Sequence, residues 1–166
     1  MKEKILMKSV LEGYHFMDKI VKKLDANVIS KSVNSHHTQG CNETLNLACE
    51  VLHLSNRKHK LLEIKALIEE CIKSLPPDSA KVLMLKYVDG FKNADIAKML
   101  GCGVKKVARL LDKAIGDVTL FFYAKGFGFL NLYNYLKDED WLIGIFDHHL
   151  KYANRFSQKI APVSFV

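Results

Sequence analysis

No Cys-X-X-Cys pair occurs in the chain. Its four cysteines, Cys41, Cys49, Cys71 and Cys102, are scattered. That spacing excludes a disulfide framework and points to reduced, buried thiols in a reducing cytoplasm. No run reaches the 18 or so uninterrupted apolar residues of a membrane span. The nearest approach, "VTLFFYAKGFGFLNLYNYL", is broken by Lys125 and by glycine and asparagine. Met1-Lys-Glu-Lys leads directly into a charged amphipathic segment, unlike a signal peptide. Internal repeats and low-complexity tracts are also missing. So are a glycine-rich phosphate loop, a nucleophile elbow and a paired-carboxylate motif, and neither a reaction nor a cofactor is expected.

What is present suits one domain or two very small ones. The 166 residues are 49% hydrophobic, enough for a packed core. The formal net charge of +7 permits an anionic partner without requiring one. The charge is uneven. Residues 1–74 carry 12 basic and 9 acidic groups, residues 75–126 carry 9 and 5, and residues 127–166 carry 4 and 4. Positive density is highest in the middle segment.

Hydrophobic periodicity predicts an all-α protein. Over residues 4–28, Val10, Tyr14, Met17, Val21, Leu24 and Val28 recur at steps of four and three, the seam of a helix that packs on another. "SKSVNSHHTQGCN" (30–42) reads as a polar loop, with Asn42 or Thr44 capping a second helix that runs to about Leu75. That helix carries Leu45, Cys49, Leu52, Leu61, Ile64, Ile68, Cys71, Ile72 and Leu75 on one side. Its middle, "SNRKHK" (55–60), is polar all round, which predicts a break or a solvent-bridging stretch. Residues 1–74 thus form a helical hairpin whose second arm exceeds what the first can cover, leaving a surface for a partner such as a second copy.

Pro76-Pro77 stops the second helix. A third follows, capped by Asp78 or Ser79, with Val82, Leu83, Leu85, Tyr87 and Val88 on its apolar face and Asp89-Gly90 at its end. Asn93 is placed to cap a short helix ending at Leu100-Gly101, and a longer helix follows from about Val104 to Val118. Residues 121–136 are aromatic and glycine-broken, and suit short strands or a loose helix equally. Residues 137–156 read as helix, with acids in the first turn and Lys/Arg near the end. The remainder reads as a frayed tail.

"DIAKMLGCGVKKVARLLDKA" meets the requirements of a helix-turn-helix position by position. Gly101 supplies the positive φ of the turn. Ala97, four residues earlier, is small enough for a close crossing. Ile96 and Leu100 are apolar, Cys102 is small, and Val107 and Leu110 return to the hydrophobic centre. At 100° per residue Val104, Val107, Leu111 and Ala114 share the inner face, while Lys105, Lys106, Arg109, Asp112 and Lys113 lie outside. The start of the second helix is the part that enters a major groove. Lys105, Lys106 and Arg109 are therefore the candidate DNA readers, with Arg109 suited to a bidentate contact with a guanine edge. Lys105 and Lys106 suit base edges or phosphates, Lys92 and Lys98, with Asn93, suit backbone phosphates, and Lys113 is a further DNA-binding candidate.

On these residues, "LPPDSAKVLMLKYVDGFKNADIAKMLGCGVKKVARLLDKA" (75–114) resembles region 4 of the sigma-70 family. The resemblance implies a module that binds promoter −35 DNA and touches RNA polymerase, with Lys105, Lys106 and Arg109 where the family's DNA-reading side chains sit. Gly103 replaces a frequent capping serine, and Leu110 a frequent polar residue. The overall layout is similar to the small phage-type regulators of the ArpU and RinA kind. The expectation is a cytoplasmic, sequence-specific regulator that binds double-stranded DNA, organised as a hairpin (1–74), a region 4-like unit (75–120) and an aromatic extension (121–166). The alternative is a module that docks on polymerase or another protein without reading DNA.

Two further groups carry the residue types of metal or acid–base chemistry. Cys49 and His53, with His36, His37 and Cys41, have the residue types of a zinc site but lack paired ligand spacing, so no metal is expected. His148 and His149 point about 100° apart on a helix, which suits structural or surface roles.

Overall fold

The computed structural model describes residues 1–34 and 41–160, with the side chains of 1–33 and 43–155. These residues form seven helices and no strand, an all-α architecture: α1 (Lys2–Asn34), α2 (Cys41–Ser74), α3 (Pro77–Leu83), α4 (Asn93–Met99), α5 (Val104–Ala124), α6 (Phe129–Leu136) and α7 (Asp140–Ile160).

The two long helices pair antiparallel, as their cross-links show. Descending α1 while climbing α2, Lys31 pairs with Glu50, Asp25 with Lys58 at 2.6 Å, and Asp18 with Lys65 at 2.5 Å. The Tyr14 hydroxyl donates to Glu69 at 2.9 Å. Val10, Met17 and Leu24 of the predicted seam are buried, and Tyr14, Val21 and Val28 are half-buried.

Several expectations need correction. Residues 30–34 continue α1, and α2 begins at Cys41, so Asn42 and Thr44 lie within it rather than before it. The rest of the predicted loop, 35–40, lies outside the described residues. The polar stretch 55–60 neither breaks nor idles in solvent. Its cations find acids on other helices: Arg57 bonds Glu139, Lys58 bonds Asp25 and Lys60 bonds Asp138. Leu45 and Leu52 remain 59% and 62% exposed, and Cys49 is exposed too. Of the cysteines expected to be buried, Cys71 is buried and Cys102 half-buried.

Helix α3 starts on Pro77 with Pro76 at the cap position, not on an Asp78 or Ser79 cap. Proline's fixed φ suits the first helical position, where its missing N–H is not needed. One wider π-turn, Met84–Val88, prolongs α3, and Gly90 closes it with φ 76°. Val82, Leu83 and Tyr87 are buried there.

The aromatic stretch resolves into helix. Helix α5 runs past Val118 to Ala124 and ends at Gly126, where φ is 88°. Phe127 N–H then bonds Phe122 O at 2.8 Å and Gly126 N–H bonds Tyr123 O at 3.0 Å, a glycine-centred C-cap with the Phe122 and Phe127 rings in contact. Helices α6 and α7 follow, with Phe129, Tyr133 and Phe146 packed together. The segment expected to fray is helical to Ile160, and 161–166 lie outside the described residues.

Glu139, just before α7, is 2% exposed. Its carboxylate accepts Arg57 Nε at 2.8 Å, Arg57 Nη2 at 3.0 Å and Trp141 Nε1 at 2.9 Å. That bond raises the Arg57 pKa further. One hydrophobic cluster draws buried side chains from all seven helices, including Leu6 and Leu11, Ile64 and Ile68, Val82 and Leu83, Ile96, Val107 and Phe122, Leu136, and Leu142.

Candidate nucleic-acid interface

Three elements build the site: α3 with its π-turn, α4, and the first half of α5. The turn between α4 and α5 is a complete Schellman cap. Gly101 has φ 60°, Gly101 N–H bonds Lys98 O at 3.2 Å and Cys102 N–H bonds Ala97 O at 3.0 Å. No atom lies within 4 Å of where a Gly101 side chain would begin, so glycine is needed for its φ and not for space.

Around this turn the crossing is tight. Ile96 and Val107 are fully buried and Ala97 is 5% exposed, while Leu100, Cys102 and Leu110 are half-buried. Leu111 and Ala114 continue the inner face. Val104 does not join them and is 49% exposed. It has the right angle but is the first residue of α5, beside the exposed Gly103 and Lys105.

Asn93 is the first residue of α4, and Lys92 takes the cap position with no side-chain cap. The Lys92 carbonyl accepts from Asp95 and Ile96 N–H at 2.9 and 3.0 Å. Among the described residues, Asn93 Oδ1 is the buried side-chain polar atom without a hydrogen-bond partner. Gly103 caps α5 with its backbone alone.

Lys105, Lys106, Arg109 and Lys113 are all exposed, on an arc of about 100° along α5. Lys92 and Lys98 are exposed on the α4 side. The electrostatics separate this region from the scaffold. Residues 75–114 contain eight lysines and arginines, and none of them forms an ion pair among the described residues. Outside it, Lys4, Lys8, Lys31, Arg57, Lys58, Lys60, Lys65 and Lys125 are each paired with an acid. Asp112, the acid among the α5 cations, pairs with Lys4 of α1 at 3.4 Å.

Local spacing does not single out Lys81. It lines a cleft of about 160 Å³ with Lys106, Asp78, Val82, Leu100, Cys102 and Leu110. Only the α3–α5 crossing brings Lys81 and Lys106 together, so no motif in the sequence marks it. Burial, with Glu12 of α1 nearby, pushes the Tyr87 hydroxyl pKa up.

The other candidate groups go elsewhere. His149 Nε2 lies 2.6 Å from Glu12 Oε2, between α7 and α1. Among the described residues no three His, Cys, Asp or Glu side chains are placed to hold a metal. His36, His37 and the Cys41 side chain fall outside them. No helix among the described residues is long and apolar enough to cross a membrane.

No curated protein and no solved structure matches the chain. Residues 65–116, which hold the end of α2, all of α3 and α4 and the first half of α5, match the family model described as sigma-70, region 4, and this part of the chain is a sigma-70 region 4-like helix-turn-helix.

Proposed function

We propose that the protein is a sequence-specific DNA-binding transcription regulator whose α4–turn–α5 unit lies in a major groove. The observation that carries this is the set of unpaired cations on the helix-turn-helix, in a chain that pairs so many of its other cations internally. Phosphates would take Lys92, Lys98 and Lys113, with Asn93 beside them. Lys105, Lys106 and Arg109 would face base edges, each bidentate pair discriminating by about 1–3 kcal/mol. On this reading the hairpin 1–74 and the extension 121–166 brace a reading unit of residues 75–120. The finer role is that of a promoter-binding activator carried by a phage or mobile element, acting in the cytoplasm.

The test is a gel shift on duplexes selected from a random pool. Changing Lys105, Lys106 and Arg109 together to Ala abolishes binding while helicity by circular dichroism stays constant. Wild-type affinity also falls steeply with salt, by about one log–log unit per phosphate contacted. Unchanged affinity in the triple variant refutes the proposal.

A second reading has its own support. Met84, Met99 and Val104 on the same three elements, and Phe91 in the connection before α4, are 38–57% exposed. Apolar groups there suit docking on RNA polymerase, together with DNA or in place of it. Polymerase pull-down with salt-insensitive affinity and no gel shift favours that alternative.

A further inference from the structure

The α1–α2 hairpin is longer than the helices packed on it. The polar links from α2 to α6 and to the acids before α7 start at Arg57: Arg57–Glu139, Lys60–Asp138 and Glu63–Tyr135. Before Arg57, one face of α2 turns to α1 through Glu50 and Lys31. The opposite face carries Leu45, Ala48, Cys49 and Leu52, all exposed, at the four-and-three spacing of a helix seam. From Thr44 to Asn56 the one Lys, Arg, Asp or Glu is Glu50. The seam therefore has no fixed charge of its own.

We propose that this seam joins two copies of the chain, α2 against α2 and antiparallel, with the two-fold axis beside Cys49. The spacing is close to self-complementary. Leu45 and Leu52 lie almost equally far on either side of Ala48 and Cys49. In a two-fold pairing Leu45 of one copy meets Leu52 of the other, and Ala48 of one copy meets Cys49 of the other at the centre, where the backbones can approach. Charge does not oppose this occupant at the seam. Two chains of net charge +7 repel over most of their surfaces, and an uncharged stripe away from the unpaired cations of the helix-turn-helix is where that repulsion is least. An open, mostly apolar hollow of about 460 Å³ beside the stripe, bounded by Lys31, Cys49, Glu50, His53 and Leu54, has room for side chains of the second copy. Such a short seam falls below the roughly 800 Å² per partner of a standard interface, so the dimer is weak, with a Kd in the micromolar range. The inference stands apart from DNA binding, since it is read from oligomeric state alone.

Sedimentation equilibrium of the full chain across low to high micromolar concentration should show a monomer–dimer equilibrium. Leu45→Glu with Leu52→Glu should weaken it by at least about tenfold, without loss of helicity, because both side chains are already exposed in the single chain. Independently, a short bismaleimide should link two wild-type chains but give no linked dimer with Cys49→Ser. A monomer at every concentration overturns the proposal. So does a dimer unaffected by the double variant, and so does a linked dimer that persists in Cys49→Ser.

Discussion

Glu139→Gln removes one charge and almost no volume, which makes it a sharp probe of how α7 is held. Glu139 is 2% exposed and accepts two hydrogen bonds from Arg57 and one from Trp141. Removing one partner of a buried ion pair costs about 3–5 kcal/mol, because the other charge is left stranded. Here the Arg57 side chain is 24% exposed, so water can partly solvate it, and a loss of about 2–3 kcal/mol is expected. In a chain of 166 residues each kcal/mol moves the midpoint by about 2–4 °C, so thermal unfolding followed by circular dichroism should fall by about 5–10 °C. Glu139→Ala should lose about 1 kcal/mol more, since it also strands the Trp141 N–H. The double variant Arg57→Leu, Glu139→Leu should recover most of the loss, because apolar replacements of a buried pair are often near neutral. Gel-shift affinity well below the midpoint should not change. A midpoint drop under about 2 °C for Glu139→Gln, or a double variant as damaged as the single, would refute the reasoning that charge pairing holds this joint.

Other substitutions test packing, turn geometry and ionisation. A Cβ on Gly13 would lie 2.8 Å from Leu142 Cδ1 and 3.0 Å from Trp141 Cζ3. Overpacking of about 1–3 kcal/mol should outweigh the roughly 1 kcal/mol gain in helix propensity, so Gly13→Ala lowers the urea midpoint. At Gly101, where φ is 60° and nothing crowds the site, Ala should cost about 1 kcal/mol from backbone strain alone and leave DNA binding intact at low temperature. Burial pushes the Cys71 thiol from 9.0 to about 11. The fold therefore favours the protonated thiol, and that stabilisation is complete below about pH 9 and lost as the pH rises through about 11. Melts across this range should lose less stability in Cys71→Ala than in wild type, and Cys49 should react with a thiol reagent in the folded state while Cys71 does not.

Helices α4 and α5 were the most legible part of the chain because their constraints are local. Ala97, Gly101 and Val107 lie within a few turns of one another, and each has a size or backbone requirement that few residues meet. The polar middle of α2 was illegible for the opposite reason. Arg57, Lys58 and Lys60 look idle until folding brings Glu139, Asp25 and Asp138 to them from distant stretches of chain. Residues 121–136 offered aromatic and glycine content that suits strand or helix. The Gly126 cap and the packing of Phe129 and Tyr133 on Phe146 decide for helix. Val104 shows the limit of angular reasoning, which fixes a face but not where along the helix the covering layer stops. The set proposed to face DNA is legible as residue types on an arc. That its charges are left unpaired, and that Lys81 stands beside Lys106, follow only from the tertiary arrangement.

Helix α5 has a consequence for modularity. Its first turns present Lys105, Lys106 and Arg109, while Ala114, Ile115, Val118 and Phe122 further along the same helix are buried in the common core. The region 4 match stops at residue 116, inside this helix. The border of family likeness is therefore not a border of autonomous folding. A fragment cut there would leave behind Val118 and Phe122, and a transplant of the reading unit would have to carry α5 through to Gly126. On the proposed function, specificity could be rewritten on the first turns without touching the buried half, but the unit proposed to read DNA cannot be lifted out of the unit that folds.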